Sequence, residues 1–183
     1  MKFLSVAILI GFIFSCTTDA HFPNTIKLHG EIVNPLDNHI VLSKNGKIVD
    51  SFELSENGFF NFEFIQDDES IYFFKHGSEK QMLYAKPGDS IAFRLNTLEF
   101  DESLVFDGNS TIENNFLIDC FLLNEKNNEL IFKYHEVSVL KFMAITDSLK
   151  EVQLKKLDYL KAKHKLSPYF LEIAEKGLKL HGI

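Results

Sequence analysis

Residues 56–64 read Glu-Asn-Gly-Phe-Phe-Asn-Phe-Glu-Phe, and this stretch decides the fold. Asn57-Gly58 marks a turn, because both residue types tolerate positive φ. After it Phe60, Phe62 and Phe64 alternate with Asn61 and Glu63. A period of two puts the rings on one face of a strand and the polar side chains on the other, as in a sheet with one face buried and one wet.

The same grammar extends upstream. Lys44-Asn45-Gly46-Lys47 is a two-residue hairpin turn. It joins a strand over His39–Lys44, with Ile40 and Leu42 on one face, to a strand over Ile48–Leu54. Before these, Ile26, Leu28, Gly30 and Ile32 alternate with polar residues. Downstream, Ser70–Lys75 and Lys80–Ala85 are β-branched or aromatic runs, and Lys86-Pro87-Gly88-Asp89 has proline and glycine where a type II hairpin turn needs them. Ser90–Leu95 and Leu98–Phe106 complete about eight short strands. Such spacing predicts an antiparallel β-sandwich or open barrel. The chain's nineteen phenylalanines supply the core, with an aromatic ligand platform as the sharper alternative.

Past Gly108 the period becomes helical. Ser110-Thr111-Ile112-Glu113 has capping-box spacing, with Ser110 as N-cap. Ile112, Phe116, Cys120 and Leu123 follow on one face. Polar residues from Asn124 to Glu129 predict a break. A second helix is expected over Glu136–His164, carrying the apolar stripe Phe142, Ile145, Leu149, Val152, Leu157 and Leu160; Ser148 with Glu151 marks an alternative restart inside it. Ser167-Pro168 is an N-cap and N1 pair opening a last helix to about Leu180. The fold class is therefore mainly β plus α: a sandwich over 25–108 and a helical region over 109–183.

The N-terminus reads as an address. Lys2 precedes an apolar run from Phe3 to Phe14, and twelve residues of helix span about 18 Å, short of the roughly 30 Å hydrocarbon core. This fits a signal peptide over 1–15. Ile13-Phe14-Ser15-Cys16 then looks like a bacterial lipobox, which would make Cys16 the lipidated first residue and 16–24 a polar tether. An ordinary signal peptide with an incidental cysteine is the alternative. Processing would leave 168 residues and, with Lys2 gone, take the formal charge from −7 to −8. Stable anchoring through several acyl chains follows from their buried methylenes.

Chemistry is sparse. The acidic balance gives no footprint for nucleic acid. Arg94 is the only arginine beside eighteen lysines, so bidentate clamps on phosphate or carboxylate are nearly absent. Cys120 lies on the apolar face of a predicted helix and reads as a small buried hydrophobe, with a mixed disulfide as the alternative. His21, His29, His39, His76, His135, His164 and His181 show no short-range pairing of the kind zinc sites use, and read as surface or loop residues. Asp67-Asp68-Glu69 reads as a solvated turn rather than a calcium site. Lys150, Lys155, Lys156, Lys161, Lys163 and Lys165 alternate with Glu151 and Asp158, as on a solvated helix face. No metal, cofactor or catalytic residue is implied.

Taken together, Ile26–Ile32, Gly58–Phe62, Tyr84-Ala85-Lys86-Pro87-Gly88-Asp89-Ser90-Ile91, Phe106-Asp107-Gly108, Glu113-Asn114-Asn115-Phe116-Leu117, Asp147-Ser148-Leu149 and Leu166–Phe170 form a pattern. It resembles the N-terminal region of TlpA-like thiol–disulfide lipoproteins of the Bacteroidetes type. The resemblance implies a thioredoxin-like domain with a Trp-Cys-x-x-Cys motif after the helices. This sequence has neither tryptophan nor Cys-x-x-Cys, so no catalytic residue carries over. The expectation is a non-enzymatic accessory or binding module of the cell envelope. It would be tethered to the inner or outer membrane by Cys16 and face the periplasm, with a thioredoxin-like domain or another envelope protein as partner. A free-standing lipoprotein that binds a small molecule, glycan or protein is one alternative. A truncated oxidoreductase lacking its redox domain is another.

Overall fold

The computed structural model describes residues 24–132 and 134–180. The signal peptide, Cys16, His21 and His181 lie outside them. Among the described residues eight strands form two four-stranded sheets, followed by helices. The strands are β1 (Thr25–Val33), β2 (His39–Lys44), β3 (Lys47–Glu53), β4 (Phe59–Ile65), β5 (Ser70–His76), β6 (Glu79–Ala85), β7 (Ser90–Asn96) and β8 (Val105–Gly108). The helices are α1 (Thr111–Phe132), α2 (Val139–Lys163) and α3 (Pro168–Leu180), with a 3₁₀ turn at Tyr134–Glu136 between the first two.

One sheet has the order β4-β1-β7-β8 and the other β3-β2-β5-β6. Their inner faces meet in a core of alternating apolar residues, as a sandwich requires. Phe93 is its centre: its ring lies 4.6 Å from Phe60, 4.7 Å from Phe74 and 5.8 Å from Phe106. Gly30 makes room for this cluster. It pairs with Phe60 on one side and Phe93 on the other. A Cβ there would meet the Phe93 carbonyl oxygen at 1.8 Å, and its φ of +153° is a conformation side chains rarely adopt.

Four local expectations are corrected. The sandwich is not wholly antiparallel, since β1 pairs with β7 in parallel. Lys86–Asp89 is not a hairpin, because β6 and β7 belong to different sheets; the turn crosses between them, with Gly88 at φ +85°. Leu98–Phe106 is a strand only from Val105, the preceding residues being a turn closed by the Ser103 hydroxyl on the Asn96 backbone. Ser110 does not cap through Glu113. Its hydroxyl donates to buried Asp89 at 2.6 Å, tying the start of α1 to the β6–β7 turn.

The polar stretch from Asn124 to Glu129 does not break α1, which continues to Phe132. Two cores hold this helix. Ile118, Phe121 and Leu122 pack on the sandwich, while Phe116, Leu117 and Cys120 pack with α2, α3 and the outer surface of β6. A helix gripped on two faces needs no single apolar stripe. α2 is continuous, without a restart at Ser148. α3 opens as expected: the Ser167 hydroxyl accepts the Phe170 N–H at 2.9 Å.

Candidate functional site

The helices bury part of the outer face of β5 and β6, through Ile71, Met82 and Tyr84. The outer face of the β4-β1-β7-β8 sheet carries instead an open groove of about 630 Å³, within the roughly 300–1,000 Å³ range of small-molecule sites.

Strand register builds it. Phe59, Glu31, Arg94 and Val105 stand directly opposite one another across the four strands. The next row is Asn61, His29, Ala92 and Asp107. Ala92 is the small member of that row and leaves its floor low. Phe59 and Val105 rise at the two ends, 55% and 57% exposed. The first row is locked by its own charges, with Arg94 Nε donating to Glu31 Oε2 at 2.8 Å. Asp107 accepts its neighbour's Gly108 N–H at 2.7 Å. Beyond the floor, Lys27 pairs with Glu63 at 2.9 Å. The outcome is two exposed apolar walls around a floor that offers an amide, an imidazole and a carboxylate.

Of the histidines, the cysteine, the acidic run and the arginine weighed for chemistry from sequence, only His29 and Arg94 line this groove among the described residues. His39, His135 and His164 are exposed. His76 corrects the surface reading of the histidines. It is 1% exposed at the end of β5. Its Nε2 accepts the Leu36 N–H at 2.9 Å and its Nδ1 lies 2.8 Å from the His39 carbonyl oxygen, which assigns the proton to Nδ1. It fastens the β1–β2 loop, and Asp37 at 3.5 Å completes the corner.

Asp67 accepts from the Asn24 amide at 2.9 Å, and Glu69 takes the Tyr84 hydroxyl. Both are thus engaged in structural contacts. Among the described residues no group of three or more His, Cys, Asp or Glu side chains converges as a metal site would. Cys120 is the one cysteine among them, 1% exposed. Burial pushes its thiol up to about 12, against a smaller opposing pull from Lys156. Such a thiol is inert at neutral pH. The lysine-rich side of α2 is solvated as expected, with Lys155 on Glu151 and Lys156 on Asp119.

Two residues that the sequence offered only as part of a family-like motif complete the architecture. Asn114 accepts the Tyr84 N–H at 2.7 Å and donates to the Tyr84 carbonyl at 2.9 Å. Asn115 does the same to Phe106, at 3.3 and 3.4 Å. Adjacent asparagines at the start of α1 therefore occupy the free edges of β6 and β8, one in each sheet. The Glu-Asn-Asn run was visible in the sequence, but only register shows what it does.

No protein-family model and no curated protein matches the chain. Among solved structures, a Bacteroides ovatus protein described as a "putative cell adhesion protein" is similar over 46% of this chain and 42% of its own, with 8% identity and a TM-score of 0.29. A likeness of that size bears on neither fold nor function. Among the described residues no helix is long and apolar enough to cross a membrane.

Proposed function

We propose that the chain is a lipid-anchored, non-catalytic binding module of the bacterial cell envelope. It stands beside a thioredoxin-like or other envelope protein, as its resemblance to the N-terminal region of TlpA-like lipoproteins suggests. The observation that carries this reading is the contrast between the two sheets. Helices cover part of one outer face, while the other is left with a groove walled by exposed Phe59 and Val105. Exposed apolar residues gathered around a few polar groups are the makeup of ligand-binding and interaction surfaces. The inert environment of Cys120 supports a role outside thiol chemistry. The Ser15-Cys16 junction after the apolar leader supports the anchor.

The test is metabolic labelling with an alkyne-tagged fatty acid in a bacterial host that processes lipoproteins, followed by membrane fractionation. The wild-type chain takes up label and pellets with membranes through a high-salt wash. Cys16→Ala loses the label and the membrane association together. Unlabelled wild-type protein in the soluble envelope fraction would sink the anchor.

A further inference from the structure

We propose that the groove across the β4-β1-β7-β8 sheet binds a neutral oligosaccharide; this deepens the reading of that face as the module's binding surface and rests on it. The groove lies on the face of the sheet, so its floor presents side chains. A peptide strand recognised by β-addition pairs along an edge, through backbone groups this floor does not offer. Charge comes next. Arg94 is held by Glu31 and neighbouring Lys27 by Glu63, so a phosphate or carboxylate ligand would have to break an existing pair. Enclosure excludes an acyl chain, which calls for closed apolar walls. This groove is open, and its floor row carries Asn61, His29 and Asp107.

A sugar fits what remains. Its hydroxyls both donate and accept, which matches an amide with both capacities and a carboxylate that accepts. Its C–H face is apolar and lies against an exposed ring such as Phe59 or a branched wall such as Val105. From β4 to β8 there are three strand spacings of about 4.8 Å, roughly 14 Å in all. That length suits a short chain of rings better than a single one.

The test uses the full-length chain purified in mild detergent and titrated calorimetrically with maltohexaose, cellohexaose, xylohexaose and mannohexaose. At least one of them is expected to bind. Phe59→Ala and Asn61→Ala, both on the surface, are expected to weaken that binding about tenfold or more. Ala92→Leu, which raises the floor, is expected to abolish it. Circular dichroism melts of the same variants, matching wild type, exclude unfolding as the cause. No heat with any hexasaccharide, undiminished binding in the variants, or tighter binding of a polyanionic oligosaccharide would each overturn the proposal. Because the fatty-acid label is read separately, a labelled protein that binds no sugar sinks this inference alone. An unlabelled protein that binds sugar sinks only the anchor.

Discussion

The two open sides of the sandwich are finished in different ways. On the β6 and β8 side, α1 closes the gap and the amides of Asn114 and Asn115 pair with both edge strands. On the β3 and β4 side, among the described residues, no helix covers the edges. There β3 carries exposed Lys47, Asp50 and Glu53. A bulge leaves Val49 unpaired between Ile48 and Asp50 and directs it to the core. Free edges invite pairing with other chains, and charges and bulges are the usual protection. One edge pair is thus satisfied from within, and the other is made unattractive from without. The first solution stores stability. The second stores solubility.

The largest effect should come from breaking the frame both sides share. Gly30→Ala forces a Cβ into the Phe93 carbonyl and should cost about 4 kcal/mol or more, read as the shift in urea midpoint. Next, Asn114→Ala should cost about 3 kcal/mol, because it takes the partner from both the buried N–H and the buried carbonyl of Tyr84. Its neighbour Asn115→Ala should cost only about 1 kcal/mol, since those bonds are longer and partly exposed. Equal losses at the two positions would refute the view that burial sets their value.

Alkali should act on the closed side. Burial raises the Cys120 thiol from 9.0 to about 12 and pushes the Tyr84 hydroxyl up as well. A raised acid holds its proton more tightly when folded, so its contribution is complete below pH 9. It is lost as pH rises toward 12. Thermal melts from pH 8 to 11 should show a fall that Cys120→Val makes shallower. The smallest change in stability is expected at the open side. Asp50→Val should change the free energy of urea unfolding by less than about 0.5 kcal/mol, yet increase light scattering on concentration.

Legibility in the sequence followed the range of the interactions. Strands with a clean period of two, such as β4, and turns built on Asn-Gly, such as Asn45-Gly46, were readable, because a few neighbouring residues determine them. The Ser167-Pro168 start of α3 was readable for the same reason. The continuity of α1 through Asn124–Glu129 was not, since two separate cores grip that helix and no single periodicity reports both. His76 was misread because its partners, Leu36 and His39, lie far back in the chain. The groove was illegible altogether. Its rows combine residues from β4, β1, β7 and β8, and one slip of register would have sent Ala92 and Asn61 to the opposite face. Cys120 was read correctly as buried, since its place on a helix face is a local property.

The parallel pairing of β1 with β7 has a consequence in time. The sheet with the candidate groove has β1 between β4 and β7, so the first strand to emerge waits for residues 90–96 before its second neighbour exists. The other sheet is assembled from the β2–β3 and β5–β6 hairpins joined through β2 and β5, contacts of much shorter span. Short-range pairings form sooner than long-range ones because less chain entropy is lost in closing them. Folding should therefore begin in the helix-backed sheet. The groove would be the last surface to take shape, and it could bind nothing until nearly the whole sandwich had folded.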